Sequence, residues 1–174
     1  NNFQEMWDKN FIIRNKLGSA AQMYFVDIKA EDGIYLHYYD STHPGARKFL
    51  WEKVKKGYFQ YGIKIFWLDA CEPEMLPFMP ENLRFYAGDG EAVANSYPLY
   101  HVQGFYEGMM LEGEKMPLFL CRSAWAGSQR YGAAVWSGDI QSTFSALKAQ
   151  VKAGLNMSLS GIPWWTSDIG GFRG

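Results

Sequence analysis

The sequence predicts a parallel α/β fold. Short, near-continuous apolar runs such as IKIFWL (63–68) and PLFLCR (117–122) suit strands buried on both faces. Stretches of helical period lie between them. The two kinds alternate along the chain, and that alternation builds a parallel sheet covered by helices.

The elements follow in order. Residues 1–44 carry no sustained period apart from IYLHYY (34–39), a short strand leading into the turn-forming DSTHPG. ARKFLWEKVKKGYFQYG (46–62) reads as a helix, because Leu50, Val54 and Tyr58 recur at i, i+4 and i+8 with Lys and Glu between them. Gly62 is its expected stop. IKIFWL follows at once as a strand. Residues 71–94 read as a long irregular loop punctuated by Pro73, Pro77, Pro80 and Gly88. A helix is expected over about 96–111, a strand over 117–122 and a short strand over 133–136. An amphipathic helix follows over 142–155, with Phe144, Leu147, Val151 and Leu155 on one face. A last strand, 157–162, leads into PWWTSDIGGF. There is no internal repeat and no low-complexity segment.

Composition excludes several classes. The net charge is −1, from 17 basic and 18 acidic residues, so neither nucleic acid nor an anionic membrane is expected as a partner. No apolar run approaches the roughly 20 residues of a membrane helix, and NNFQEMWDKN lacks the features of a signal peptide. Cys71 and Cys121 make no disulfide scaffold and read as two buried thiols. Aromatic residues reach 17%. They suit a large core, and they also suit a pocket walled by flat amphipathic rings, as a sugar requires.

The polar residues then fall into a pattern. Asp69 ends the run IKIFWL, Arg122 ends PLFLC, Asp139 comes shortly after AAVW, and Asp168 lies a few residues past MSLSGI. An aspartate after a strand is ordinarily a cap or turn residue. Four such placements amid Trp67, Trp125, Trp136, Trp164 and Trp165 point further, because carboxyl ends of parallel strands share one face and ligands bind there. Two carboxylates above aromatic walls suggest glycoside hydrolysis, one attacking or activating water and the other protonating the leaving oxygen. A metal site is disfavoured by the scattered His37, His43 and His101. A serine hydrolase lacks its GxSxG elbow, and no GxxxxGK[ST] phosphate loop occurs.

FWLDACEPE (66–74), CRSAWAGSQRYGAAVWSGD (121–139) and SGIPWWTSDIGGF (160–172), in that order, resemble the catalytic barrel of glycoside hydrolase family 31. The resemblance covers roughly residues 38–172. It implies a (β/α)8 barrel and a retaining two-step mechanism on α-linked xylose or glucose. Asp69 matches the family nucleophile, Asp139 the general acid/base, and Arg122 the arginine that contacts the sugar and the carboxylates. Trp136 and Asp168 match pocket positions, with Trp67 and Trp164 or Trp165 as further walls. Glu72 and Glu74 are then supporting residues. LDACEPE, in place of the DMNEP more usual in α-glucosidases, resembles the bacterial α-xylosidase-like members.

The partner implied is an oligosaccharide, with no metal and no cofactor. The chain matches only part of the barrel, from about the third strand to just after the seventh, so residues 1–174 are expected to be part of one catalytic domain truncated at both ends. The family's substrate-binding aspartate on an early strand and its histidine after the seventh have no counterpart. The alternatives are an inactive fragment, an α-transglycosylase and a non-catalytic carbohydrate-binding descendant; the intact pair Asp69 and Asp139 argues against the last. The sequon Asn156-Met157-Ser158 enters an expected buried strand and is set aside.

Overall fold

A computed structural model describes residues 2–25, 34–75 and 78–174. Pro77 of the expected loop lies outside them. In chain order the elements are α1 (Phe3–Asp8), β1 (Arg14–Asn15), β2 (Gln22–Phe25), β3 (Ile34–His37), α2 (Pro44–Gly57), β4 (Phe66–Leu68), β5 (Leu83–Phe85), β6 (Gly88–Asp89) and α3 (Gly90–Val93). Then come α4 (Tyr97–Leu111), β7 (Phe119–Cys121), β8 (Ala133–Trp136), α5 (Phe144–Leu159) and β9 (Trp165–Thr166).

Strands β4, β7, β8 and β9 form one sheet in that order, every neighbouring pair parallel. This is part of a (β/α)8 barrel. Alternation divides the side chains between two faces. Leu68, Phe119, Cys121, Ala133 and Val135 turn to the helix layer and join Trp51, Val102, Phe105, Met109 and Ile162 in the main core. The opposite face carries Ile65, Trp67, Leu118 and Trp136. Most of it is exposed, Trp67 to 66%, whereas Trp136 is only 5% exposed. Trp67 and Trp136 meet edge to face, with centroids 5.5 Å apart, across the intervening β7. Contact between alternate strands is how a barrel interior is layered.

Helices α2 and α4 pack closely because small residues face large ones. At Gly104 the neighbour is the Arg47 stem, and at Gly108 it is the Trp51 indole. His43 caps α2, its Nδ1 accepting from the Gly45 amide at 3.0 Å, and Pro44 opens the first turn. A second core of Ile13, Ala21, Met75, Leu83, Phe85, Ala94 and Tyr97 lies under the amino-terminal segment.

Several expectations need correction. The segment 34–39 contributes β3, which pairs antiparallel with β2, apart from the parallel sheet. The strand expected over 63–68 is regular only from Phe66. The irregular loop 71–94 holds β5, β6 and α3, and β5 pairs with both β1 and β6. The loop is anchored by buried Asp40, which accepts from the Tyr86 amide at 2.6 Å and the Thr42 amide at 2.9 Å. Gly62 closes a short 3-10 turn over Phe59–Tyr61, one step past the end of α2.

The strand expected over 157–162 is the last turn of α5. The Ile162 amide donates to the Met157 carbonyl and the Gly161 amide to that of Ser158, with Gly161 at φ +79°. That is a Schellman motif, which needs the left-handed glycine, and Ile162 enters the core beyond it. Asn156 therefore lies on an exposed helical turn. The apolar face of Phe144, Leu147, Val151 and Leu155 is exposed, Phe144 to 91%. α5 instead meets β9 through Gly154, where an added Cβ would come within 2.8 Å of the Trp165 ring.

One part-buried pair gives the fold a pH limit. Tyr39 Oη and His101 Nδ1 share a hydrogen bond of 2.6 Å, and burial lowers the His101 pKa to about 4. Unfolded histidine titrates near 6.5, so between these values unfolding takes up a proton. The neutral ring's contribution is complete above about pH 6.5 and is lost as pH falls towards 4, a change on the order of 3 kcal/mol. Urea unfolding of the full-length protein across this range should show that loss, and His101→Asn should flatten it.

Candidate active site

The sheet directs Asp69, Arg122, Asp139 and Asp168 to one edge. They follow β4, β7, β8 and β9, and all four strands run in the same direction. Extending the alternation of β4 by one step puts Asp69 on the Trp67 face. The same extension of β7 puts Arg122 beside it, with the Arg122 amide donating to the Leu68 carbonyl at 3.3 Å. The chain turns sharply after Asp69: Ala70 sits at φ +52° and donates its amide to Asp69 Oδ1 at 2.8 Å.

Arg122 is the hub. Its Nη1 lies 3.2 Å from Asp69 Oδ1. Its Nε and Nη2 donate to the two oxygens of Glu72 at 3.0 and 2.8 Å, a bidentate fork. Nη2 also donates to Glu74 at 2.7 Å. The hydrogen bonds that it donates to Glu72 raise the arginine's pKa above its ordinary value, burial opposing and Glu74 and Asp69 assisting, so it stays charged throughout. The Glu74 loop is pinned by the Tyr38 hydroxyl, which donates to the Glu74 carbonyl at 2.9 Å. Burial, with the charges of Glu74 and Glu72, pushes that phenol up to about 12.

Asp139 has a separate cation. Arg173 Nη2 lies 3.3 Å from Asp139 Oδ2. The arginine is brought there by backbone pairing of 172–173 with 140–142, including Ser142 N–H to the Arg173 carbonyl at 2.8 Å. The sequence reading missed Arg173. Asp168 lines a cavity of about 300 Å³ with Ile140, Ser142, Thr143, Phe144 and Gly171.

Two tryptophans do not join this edge. Trp165 packs against the main core and Gly154 of α5. Trp164 lines a cavity with Met116, Pro117, Leu118 and Ala133, at the amino-terminal ends of β7 and β8. Trp67 of β4 and Trp136 of β8 are the rings that meet on the interior face near this edge. Cys71 and Cys121 are free, buried thiols, and burial raises both pKa values. Among the described residues no three His, Cys, Asp or Glu side chains are placed to hold a metal, and no helix is long and apolar enough to cross a membrane.

The model of the glycosyl hydrolases family 31 TIM-barrel domain matches residues 1–174. The chain belongs to glycoside hydrolase family 31. Within the family it is 46% identical over 172 residues to the uncharacterized family 31 glucosidase ORF2 of Pseudescherichia vulneris, covering 99% of this chain and 31% of that protein. It is 44% identical over 132 residues to an α-xylosidase of Saccharolobus solfataricus, covering 73% of this chain and 18% of that one. The crystal structure of a family 31 α-xylosidase from a soil metagenome, complexed with xylose, superposes with a TM-score of 0.92 at 50% identity. It covers all of this chain and 25% of that one. The chain thus spans less than a third of the length of each of these family members.

Proposed function

We propose that the enzyme to which this segment contributes is a retaining glycosidase acting on α-linked xylosyl or glucosyl residues of oligosaccharides, with Asp69 as nucleophile and Asp139 as general acid/base. The observation that carries the reading is the placement of Asp69. It stands at the carboxyl end of a barrel strand, on the interior face, against an arginine fixed by two glutamates.

The Asp69 carboxylate attacks the anomeric carbon while Asp139 gives its proton to the leaving oxygen. The resulting ester is hydrolysed by water, whose proton returns to Asp139, and two inversions leave the α configuration. Arg122 holds a cation 3.2 Å from the Asp69 carboxylate, and Arg173 holds one 3.3 Å from Asp139. In the complete barrel the two carboxyl groups should lie about 5–5.5 Å apart, the retaining separation. Trp67 and Trp136 form the wall against which the sugar ring stacks.

The LDACEPE variant and the similarity to two α-xylosidases favour xylose. The full-length enzyme should prefer an aryl α-xyloside to the matching α-glucoside by at least about tenfold in kcat/KM, the usual discrimination for one substituent in a fitted pocket. A preference for the glucoside would overturn the xylose assignment.

A further inference from the structure

We infer that Glu72 and Glu74 are positioning residues: Glu72 fixes the plane of the Arg122 guanidinium and Glu74 offsets its charge, so together they set how Arg122 acts on the Asp69 carboxylate. The inference rests on the reading of Asp69 as nucleophile.

The geometry assigns the two glutamates different work. Glu72 engages Nε and Nη2, one whole edge of the guanidinium, and a planar fork gripped along one edge cannot rotate. That leaves Nη1 aimed at Asp69. Glu74 adds one contact to Nη2, a nitrogen that Glu72 already holds, so it contributes charge more than direction. The Arg122 side chain is only 19% exposed, and three carboxylates share its single charge. The other titratable groups close by are Tyr38 from the end of β3, neutral through the working pH range, and buried Cys71 between Asp69 and Glu72. Asp139, beyond β8, is paired with Arg173.

The two roles give opposite signs. Without the Glu72 fork the guanidinium swings away, Asp69 loses its cation, and the acid limb of the pH profile moves up. Without the Glu74 charge the fork remains and the arginine acts on Asp69 with one competing anion fewer, so the acid limb moves down. A glutamate that merely braced the loop would change the yield of folded protein without splitting the limbs in this way.

The test is the pH dependence of kcat/KM in the full-length enzyme, using an aryl α-xyloside with an activated leaving group. Glu72→Ala should lower kcat/KM about 100-fold, mainly through kcat, and raise the acid limb by about one pH unit. Glu74→Gln should lower kcat/KM less than about tenfold and shift the acid limb down by roughly half a unit. Limbs that move the same way, or either limb unmoved, overturn the inference. If Glu72→Ala does not fold, the isosteric Glu74→Gln decides alone: a downward shift supports the inference, and no shift or an upward one overturns it. Trapping the wild-type enzyme with a 5-fluoro α-glycosyl fluoride and locating the label by mass spectrometry separates the two levels. With the label on Asp69, unsplit limbs sink only the inference about the glutamates. A label elsewhere sinks the nucleophile assignment and this inference with it.

Discussion

Azide should rescue the two aspartate variants of the full-length enzyme to opposite anomers. On the proposed roles, Asp69→Ala removes the group that forms the ester, so turnover of every glycoside should fall by at least about 10⁴-fold. Azide entering the vacated space attacks an activated α-glycosyl fluoride directly, and a single inversion gives the β-glycosyl azide. Asp139→Ala keeps the nucleophile. Fluoride needs no proton to leave, so the first step proceeds and the enzyme stalls at the ester for want of a base. Azide needs no base, and its attack adds a second inversion, giving the α-glycosyl azide. NMR of the products distinguishes the two. The same anomer from both variants, or the reverse pairing, would show the roles wrongly assigned.

The second large effect is on stability. A Cβ added at Gly108 would fall inside the indole of Trp51, which is buried against Phe59 and Phe105. Helices α2 and α4 cannot separate without opening the main core, so Gly108→Ala should destabilise the protein by about 3 kcal/mol, the upper end of ordinary overpacking. Trp51→Leu makes room at the same contact. Combined with Gly108→Ala it should cost less than the two separate losses together, since contacting sites are not additive. Denaturant unfolding of the three variants measures this directly. A double variant no better than the sum would mean that the helices tolerate the extra methyl by another route.

The parts of the protein that were legible in the sequence are those encoded locally. The end of IKIFWL is a strand, Phe66–Leu68, with a carboxylate just beyond it, and the strand's alternation extends to that residue. PLFLCR does the same for the arginine. The errors have equally specific causes. MSLSGI has the composition of a strand, yet the Ser-Gly-Ile ending carried the helix-stop signal, and tertiary packing of Met157 and Ile162 decided for it. The periodicity of α5 correctly marked an apolar face, but period alone cannot say what covers that face, and within this chain it is exposed. The pairing of β5 with β1 joins segments about 70 residues apart, and Arg173 reaches Asp139 through backbone pairing of 172–173 with 140–142. Neither leaves a local trace. Trp164 or Trp165 is the expected wall; neighbours in an extended chain point to opposite faces, and Trp165 is the one that packs against the core.

The alternation that puts Ile65, Trp67 and Asp69 on one face has a consequence for how such an enzyme can change. What the site requires of β4 is an odd–even relation between its anchor in the sheet and its carboxylate. Losing a single residue between Gly62 and Leu68 would turn Asp69 towards the thiol-lined helix layer and bring Leu68 round to the barrel interior. A loss of two would keep every side chain on its own face and only lower the carboxylate by one layer. The loops beyond the strand ends carry no such rule, because their residues reach the site individually. Length variation among relatives should therefore gather in those loops, and in the strands it should come in pairs of residues.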